Sequence, residues 1–404
     1  MSQSAPCASR PPHQTGPDYV NAMDVYVTNQ CNLGCHSCFV DTVKSSRGSV
    51  HLQWEDFRNA IDTFMSPSDT PATSQKEIAI AGGEPFMLYP LLLETAKYIQ
   101  KFEKPPFVYV HTNGTLVQAD WIKELRKYNI GIVFSIDGDK FYQDKFRPFA
   151  HASKKRSSWD VIFDKLAGLP MEGMATNTVV RPESVVSILE SLKTFHSQGF
   201  KFCDMWIDYL LPWSDDDLKK MQAFTDEFGD WYVERTNKDG KIPFFIGSMA
   251  HALFQAAYHS KGGEAWWKKC FRITLGADGH FYDCEAIGFT TYPRAEQNHA
   301  VNHASSGKGI DWKKREEYMD RADKVLEELG CVEGWQHVCP RLYYSVGEFL
   351  EKDPKPMIDN LHRVSELFFK NMVKIAARLR EHEHFRQAYL QEDYPHPCDI
   401  GVMR

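Results

Sequence analysis

Three cysteines stand close together near the start of the chain, as Cys31, Cys35 and Cys38. They follow a short run typical of a β-strand, so their loop leaves the carboxyl end of that strand, where enzymes built on parallel sheets place their chemistry. Cysteine thiolates are the ligands of iron–sulfur clusters, and three of them from one loop can bind three corners of a [4Fe–4S] cube. The fourth iron would then remain open to another ligand.

Structural zinc and a chance group of buried thiols are the alternatives for these cysteines. Structural zinc is usually four-coordinate and closed, and its cysteines tend to come as two separated pairs. Three close cysteines without a fourth nearby fit that pattern poorly. The spacing therefore favours an iron–sulfur cluster with an open iron.

Short β-type runs alternate with segments of helical period from Met23 to about Tyr209. Six strand-then-helix units in succession predict a parallel sheet, two units short of a closed eight-stranded barrel. A curved partial barrel and a doubly wound sheet both fit this pattern. The predicted strands are 24–28, 77–81, 107–112, 130–136, 174–180 and 201–208, and the helices after them are 54–64, 88–102, 119–128, 159–169, 184–196 and 215–233.

The pattern changes after the sixth unit. Residues from about 243 to 354 are irregular and rich in Trp, His and Gly, which indicates a second module. An amphipathic segment at 357–385 predicts a helix that packs back on the body. The expected parts are a flexible tail at 1–18, the sheet domain at 19–240, the second module at 241–354, and a C-terminal helix and tail at 355–404.

Composition narrows the class of protein. The chain has 404 residues, 43% of them hydrophobic and 25% charged, as in folded soluble proteins. A net charge of −7 without a dense Lys/Arg stripe predicts no nucleic-acid partner. No apolar run reaches the length of a membrane span or a signal peptide, so we expect a cytoplasmic protein without membrane contact. In a reducing compartment, ten cysteines favour metal or thiol chemistry over disulfides.

The Cys-x3-Cys-x2-Cys loop, placed after the first strand of a six-unit α/β chain, resembles that of the radical S-adenosylmethionine (radical SAM) enzymes. The resemblance implies a partial (β/α)6 TIM-type barrel and a [4Fe–4S] cluster whose open iron chelates the amino and carboxylate groups of SAM. One electron from the cluster would cleave SAM to methionine and a 5'-deoxyadenosyl radical that abstracts a hydrogen atom from substrate. A flavodoxin- or ferredoxin-type protein would donate that electron. One departure is Ser37, where the family commonly has an aromatic residue, although Phe39 follows.

Other strand ends carry groups suited to SAM. Paired glycines after the second strand let the backbone approach a ligand closely, and alternation along the fourth strand puts Ser135 and Asp137 on one face. On their own, the glycines would be a turn and Arg147 a surface cation. In the family, Gly-Gly-Glu-Pro contacts the methionine amino group, and Arg147 resembles the arginine that pairs with the SAM carboxylate. The SAM-binding residues that the resemblance implies are Gly82, Gly83, Glu84, Pro85, Asn113, Ser135, Asp137 and Arg147, with Asn177 as a weaker candidate.

Asp208 and Tyr209 end the sixth predicted strand and would face the same cavity. A polar pair there could bind substrate or exchange a proton with it, which makes both residues catalytic candidates. The alternative is a hydrogen-bonded rim of the barrel.

A second set of cysteines lies in the irregular module: Cys270, Cys284, Cys331 and Cys339. Asp-Gly at 278–279 predicts a β-hairpin turn with Cys284 at the end of the return strand. Four ligands from two local pairs suit either a second iron–sulfur cluster or a tetrahedral zinc, and spacing alone does not choose between them.

The hairpin also resembles the auxiliary-cluster modules of radical SAM enzymes, called SPASM with two clusters and twitch with one. Gly279-x4-Cys284 matches their Gly-x4-Cys element, whereas the dense cysteine run of the full module is absent. The resemblance implies one auxiliary [4Fe–4S] cluster in a small irregular α+β domain, with Cys398 as a possible distal ligand. Cys7 and Cys203 have no cluster partners in sequence.

Such modules resemble those of enzymes that oxidise, epimerise or cross-link peptide or protein side chains, and we expect a substrate of that class. The alternative is dehydrogenation or epimerisation of a carbohydrate-type small molecule, and the remote one is a non-catalytic iron–sulfur or zinc scaffold. About 22 residues precede the first predicted strand. This is too short for the leader-peptide-binding domain with which many peptide-modifying relatives begin. We therefore expect a peptide substrate to need a separate recognition protein or to bind directly.

Overall fold

A parallel sheet forms the centre of the protein. The computed structural model describes residues 20–36, 38, 40, 49–66, 76–151, 156–208, 211–260, 270–283, 300–328 and 355–390. The strands of these residues form one open sheet in the order β10-β9-β8-β1-β2-β3-β4-β5-β6-β7, parallel from β8 through β7. They are β1 Ala22–Tyr26, β2 Glu77–Ala81, β3 Phe107–Thr112, β4 Gly131–Ser135, β5 Met174–Val180, β6 Phe202–Ile207, β7 Phe245–Ile246, β8 Arg272–Leu275, β9 His280–Tyr282 and β10 Ala300–His303.

Helices connect the successive parallel strands, as the alternating pattern predicts. The helix that starts at Asp215 begins with a capping box, in which the Ser214 hydroxyl accepts from the Asp217 amide and the Asp217 side chain accepts from the Ser214 amide. The described helices are α1 Trp54–Met65, α2 Tyr89–Tyr98, α3 Ala119–Arg126, α4 Lys140–Phe146, α5 Ser158–Leu166, α6 Ile188–Gln198, α7 Asp215–Asp239, α8 Gly247–Ser260, α9 Trp312–Glu328, α10 Lys355–Arg378 and α11 Glu383–Tyr389.

The two faces of the sheet differ in character. Along β3, Val108 and Val110 are buried in the core, whereas Tyr109 and His111 alternate with them and keep some exposure. The register of the neighbouring parallel strands continues this second face across the sheet, since residues paired in register point to the same side. This inner face is the wall of the partial barrel that the sequence predicts.

The hairpin predicted at 278–279 is confirmed, and its first strand extends the sheet. Strand β8 pairs in parallel with β1, and β9 returns antiparallel to it through a turn in which Gly279 has a φ of +80°. The Arg272 guanidinium donates to both carboxylate oxygens of Asp24 and lies 3.5 Å from Glu77. Strand β8 is thus held to the parallel sheet by backbone pairing and by charge.

Two expectations on helices need correction. The stretch 243–354, expected to be irregular, contains α8 and α9. In the strongly charged α9, Arg315, Tyr318 and Met319 are buried, so the periodic pattern is present but diluted. The single helix expected at 357–385 is two helices, because a turn follows Leu379 and His382 caps the second one by accepting from the Phe385 amide.

The C-terminal helices do pack back on the body, as expected. Tyr389 of α11 accepts a 2.6 Å hydrogen bond from the Ile246 amide and stacks on Phe245. Asn371 of α10 donates to Thr225 of α7. Among the described residues, no helix is long and apolar enough to cross a membrane.

Candidate functional site

The three-cysteine loop lies at the carboxyl end of β1. Its beginning is fixed by backbone bonds, because the Val27 amide donates to the Ala81 carbonyl and the Leu52 amide donates to the Val27 carbonyl. The Leu33 amide donates to Cys31 Sγ at 3.3 Å, and Cys38 Sγ donates to the Val40 carbonyl. The amide that faces Cys31 is suited to a thiolate, which accepts hydrogen bonds.

A second segment, Phe146–Ala150, runs antiparallel beside this loop, and we call it the strap. The Gly34 amide donates to the Pro148 carbonyl at 2.8 Å, the His36 amide to the Phe146 carbonyl at 3.0 Å, and the Ala150 amide to the Asn32 carbonyl at 3.0 Å. Arg147 belongs to the strap. Its position against the cysteine loop is therefore set by backbone pairing rather than by its own side chain.

The Gly-Gly-Glu-Pro turn after β2 packs against the start of the cysteine loop. The Gly83 amide donates to the Thr28 carbonyl at 2.7 Å, and the Glu84 amide donates to the Gln30 carbonyl at 2.8 Å. A Cβ atom on Gly82 would lie 2.6 Å from the Thr28 carbonyl oxygen, and the φ of Gly82 is +139°. Both glycines are needed here because two backbones approach each other too closely for side chains.

Glu84 joins the second and third strand ends from a fully buried position. Its carboxylate accepts from the Thr112 hydroxyl at 2.7 Å and from the amides of Asn113 and Phe86 at 2.7 and 3.0 Å. Burial raises the pKa of Glu84 to about 7, although these three donors lower it. Pro85 begins a short 3-10 helix, Pro85–Leu88, just after this residue.

Asn113 contacts the first cysteine. Its Nδ2 lies 3.5 Å from Cys31 Sγ and 3.0 Å from the side-chain oxygen of Asn32. Its own oxygen accepts from the amide and hydroxyl of Thr115. The amide group is held in one orientation by these bonds, with its N–H groups directed at the cysteine loop.

Asp137 and Arg147 lie in one buried network with Arg181, a residue that the sequence reasoning missed. Arg147 Nε and Nη2 lie 2.9 and 3.0 Å from the two carboxylate oxygens of Asp137, and Arg181 Nη1 lies 3.0 Å from the second oxygen. Burial alone would raise the pKa of Asp137, but the charges of Arg147 and Arg181 hold this pKa below its ordinary value. Strand alternation through Asn177 and Val179 would have placed Arg181 on the same face.

Asp208 lies at the far side of this network, where Arg181 Nε is 3.3 Å from its carboxylate. Asp208 is nearly buried, and its carbonyl accepts from the Trp213 indole N–H. Tyr209 lies outside the described residues. The structure thus brings Asp208 together with the predicted SAM-binding residues through Arg181.

Three polar side chains form a row across the inner face beneath this network. The register pairs Ser135 of β4 with Asn177 of β5, and Asn177 with Asp204 of β6. Among the described residues, the Asn177 side-chain oxygen is buried without a hydrogen-bond partner. Trp206 follows on β6, is 39% exposed, and donates from its indole N–H to Asp204. Ser135, Asn177 and Asp204 thus form a partly buried row of polar groups on the inner face.

The residues that carry the resemblance therefore meet at one edge of the sheet, on loops that hydrogen-bond to one another. A sequence profile of the Radical SAM superfamily matches residues 25–224, which span the cysteine loop and the parallel strands through β6. The chain belongs to the radical SAM superfamily. Family membership confirms that the protein is an enzyme of this type and that its expected cofactors, a [4Fe–4S] cluster and SAM, are those of the family.

Known radical SAM proteins resemble this one in sequence and fold. The cysteine-type anaerobic sulfatase-maturating enzyme of Clostridium novyi strain NT is 27% identical over 186 residues, 43% of this chain and 47% of that enzyme. The chain thus spans about half the length of this curated relative. The structure of anSMEcpe with bound AdoMet (SAM) superposes with a TM-score of 0.61 at 17% identity, over 90% of this chain and 99% of that one. Its complex with AdoMet and the Cp18Cys peptide gives 0.59 at 16% identity, over 89% and 96%.

The cysteine loop of this radical SAM protein fits a cluster chemically. Burial raises the pKa of the thiols of Cys31 and Cys38 to about 12, and it also raises that of Cys35, which the Arg147 charge lowers in part. A bound metal deprotonates a coordinating thiol outright. Among the described residues, no group of three or more Cys, His, Asp or Glu side chains is close enough to bind a single metal ion. A [4Fe–4S] cluster does not need such a group, because each cysteine thiolate binds a different iron of the cube.

Of the second cysteine set, Cys270 is described, and Cys284, Cys331 and Cys339 lie outside the described residues, as do Cys398 and Cys7. Cys270 precedes β8 at the amino end of the sheet, where the amides of Asn21 and Ala22 donate to the Phe271 carbonyl. The buried Arg315 donates to the carbonyls of Cys270 and Arg272. Cys203 is fully buried in β6, as expected of a thiol in a packing role.

Proposed function

We propose that this radical SAM enzyme modifies a peptide or protein side chain by oxidation, epimerisation or cross-linking. In this proposal Cys31, Cys35 and Cys38 hold the cluster. A reduced cluster held there would supply the one electron needed to cleave SAM to methionine and a 5'-deoxyadenosyl radical, and that radical would take a hydrogen atom from the substrate. The observation that carries the proposal is the loop itself: its residues 30–36, which include Cys31 and Cys35, are held between the glycine turn and the strap by direct backbone hydrogen bonds.

The chain's own residues have separate tasks in this site. The glycine turn presents backbone to the methionine end of SAM, while Glu84 fixes that turn to β3. Arg147, with 15% of its side chain exposed, pairs with the SAM carboxylate, and Asp137 orients the guanidinium from a fully buried position. Ser135 and Asn177 lie side by side on the inner face and supply polar atoms to the nucleoside.

Two observations support a peptide substrate. The relative matched in sequence is named as a sulfatase-maturating enzyme, and the matched fold has been solved with a peptide bound. The inner face next to the site carries the exposed Trp206, an aromatic surface that an amino-acid side chain can pack against. Asp208 and Tyr209 remain our candidates for the groups that touch the substrate.

We further propose one auxiliary [4Fe–4S] cluster on Cys270, Cys284, Cys331 and Cys339. Cys270 stands at the amino end of β8 and Cys31 beyond the carboxyl end of β1, with β8 and β1 parallel. Strands of this length separate their ends by about 15 Å at about 3.3 Å per residue. A cluster held by these cysteines would supply an acceptor for the electron left after hydrogen abstraction. A flavodoxin- or ferredoxin-type donor would supply the first electron.

Anaerobic reconstitution with iron and sulfide tests the clusters. We expect about eight iron atoms per chain in the wild type and about four in Cys270→Ala/Cys284→Ala and in Cys31→Ala/Cys35→Ala/Cys38→Ala. Cys203→Ala is the matched control, since it removes a thiol outside both sets, and we expect its iron content to equal that of the wild type. Iron that stays near four in the wild type and is unchanged in Cys270→Ala/Cys284→Ala would refute the auxiliary cluster.

Activity is tested with SAM and dithionite. We expect 5'-deoxyadenosine from the wild type and none from the triple variant at the cysteine loop. Offered with peptides encoded beside its gene, the enzyme should modify a peptide: the mass falls by two hydrogens for an oxidation or a cross-link, and a D-residue appears without a mass change for an epimerisation. Turnover of a sugar, with no change in any of these peptides, would contradict the peptide proposal and favour a carbohydrate-type substrate.

A further inference from the structure

The buried arginine Arg181 reaches two carboxylates at the rim of the site. We propose that Arg181 is a positioning residue that balances the charge of Asp137, so that Arg147 stays available for the SAM carboxylate. This inference rests on the proposed SAM site, because it assigns Arg147 the contact with SAM.

The Asp137 carboxylate accepts three hydrogen bonds from three residues, and Arg147 Nε makes a further ion-pair contact with it. Arg147 Nη2 and the Val179 amide lie 3.0 and 2.9 Å from Oδ1, while Arg181 Nη1 and Arg147 Nε lie 3.0 and 2.9 Å from Oδ2. Asp137 is fully buried. A buried carboxylate of this kind requires compensation by charge as well as by hydrogen bonds, and here two guanidinium groups share that role.

Arg181 is itself held in place from three sides. Its side chain is 3% exposed, and its Nε lies 3.3 Å from the Asp208 carboxylate. Its guanidinium carbon lies 4.1 Å from the centre of the Phe146 ring, the geometry of a cation–π contact. Phe146 is the first residue of the strap, next to Arg147. Arg181 therefore contacts both Asp137 and the backbone segment that carries Arg147.

The charges of the network sum to zero. Asp137 and Asp208 are two anions, and Arg147 and Arg181 are two cations. Without Arg181 the network would carry a net charge of −1 beside the position proposed for the anionic SAM carboxylate. Among the described residues of the network, Arg147 would then be the cation that Asp137 and SAM share. Both effects weaken SAM binding without removing any atom that touches SAM.

Arg147 has enough N–H donors to bind the SAM carboxylate as well as Asp137. A guanidinium has five N–H groups, and two of the nitrogens of Arg147 face Asp137. Arg147 also makes a side-chain hydrogen bond to the Cys35 thiol. The arginine can thus hold Asp137 on one side and a carboxylate near the cluster on the other.

Equilibrium binding of SAM to the reconstituted protein tests this inference. Arg181→Met removes the charge and keeps the apolar stem against Phe146. Arg181→Lys keeps a cation that reaches one carboxylate. The control is Arg378→Met, which removes an exposed arginine of α10 paired with Asp230. The EPR spectrum of the reduced cluster, with and without SAM, and the iron content are recorded for each variant. The melting temperature is recorded as well, so that loss of fold is not mistaken for loss of binding.

We expect Arg181→Met to keep its iron but to bind SAM at least about tenfold more weakly. The SAM-dependent change in its EPR spectrum should require correspondingly more SAM. Arg181→Lys should recover part of the affinity, and Arg378→Met should bind as the wild type does. A folded Arg181→Met with wild-type affinity would overturn the inference. If Arg181→Met does not fold, Arg181→Gln, which removes the charge and keeps hydrogen-bond donors, replaces it: wild-type SAM affinity in Arg181→Gln would overturn the inference, and at least about tenfold weaker binding would support it.

SAM binding by the wild type distinguishes failure of this inference from failure of the proposed function. If the reconstituted wild type binds no SAM, the proposed site itself is wrong. If the wild type binds SAM and Arg181→Met binds it equally well, the site stands and the role of Arg181 is refuted.

Discussion

The backbones of Gly83 and Gln30 approach so closely that a Cβ atom on Gly83 would lie 2.0 Å from the Gln30 carbonyl oxygen. Gln30 directly precedes Cys31, so a side chain on Gly83 must displace the cysteine loop. We expect Gly83→Ala to fold but to retain much less iron at the first cluster than the wild type after reconstitution. Iron and sulfide analysis, made in a Cys270→Ala/Cys284→Ala background, measures this loss for the first cluster alone.

Gly168→Ala is the matched control for that variant. Gly168 has a φ of +87°, and a Cβ atom added there would meet no other atom within 4 Å, so the substitution introduces backbone strain without a collision. We expect Gly168→Ala to lose about 1 kcal/mol of stability and no iron. Equal iron loss in both variants would show that general destabilisation, and not the contact with Gln30, is responsible.

Asn113 should tune the first cluster through its contact with Cys31. Its Nδ2 lies 3.5 Å from the Cys31 sulfur, and hydrogen bonds to the sulfurs are one of the factors that set the potential of an iron–sulfur cluster. Because a donor withdraws electron density from the thiolate, we expect Asn113→Ala to make the reduction potential more negative. A redox titration followed by EPR measures this, with Asn59→Ala on α1 as control. An unchanged potential in Asn113→Ala would contradict the assigned contact.

The sequence predicts the repetitive part of the fold well. Strands β2, β3 and β5 have the expected bounds, since buried β-branched and aromatic runs between turn residues leave little choice. The Gly-x4-Cys hairpin likewise follows from its Asp-Gly turn. What pattern reading did not show is that β8 pairs with β1, because that contact joins residues about 250 positions apart and depends on Arg272 meeting Asp24.

Some residues of the candidate site can likewise be predicted from the sequence, and others cannot. Cys31, Asn113 and Arg147 are visible in sequence because each stands in a motif at a strand end. Arg181 is not, since its role comes from two carboxylates, Asp137 and Asp208, on other strands. Local patterns indicate which residues reach the edge of the sheet, whereas pairing between strand ends depends on the register of the whole sheet.

Arg272 should contribute strongly to stability where β8 joins the barrel. The side chains of Asp24 and Glu77 are 5% and 6% exposed, and the guanidinium of Arg272 forms ion pairs with both. Removing one partner of a buried ion pair costs about 3–5 kcal/mol, because the remaining charge is uncompensated. We expect Arg272→Met to lower the free energy of unfolding by this amount in urea titrations. Arg363→Met, which breaks the exposed pair with Asp215, should cost at most about 1 kcal/mol, and an equal loss in the two would contradict the prediction.

The buried carboxyl group of Asp204 should make the free energy of unfolding depend on pH. It accepts from the Ser248 amide at the start of α8 and from the Trp206 indole, and burial raises the pKa of its carboxyl from 3.8 to about 6. A raised carboxyl pKa means that the folded state holds the proton more tightly than the unfolded state. The stability associated with that proton is therefore complete below about pH 4 and is lost as the pH rises through about 6.

Asp204→Asn isolates this contribution because an amide does not titrate. We expect the stability of the wild type relative to Asp204→Asn to fall by about 1–3 kcal/mol between about pH 4 and pH 7, since the side chain keeps some contact with water. Trp206→Phe removes a donor that favours the carboxylate, so its stability should fall more steeply with pH than that of the wild type. Anaerobic urea titrations across this range provide the free energies. A difference between wild type and Asp204→Asn that does not change with pH would show that Asp204 keeps an ordinary pKa in the folded protein.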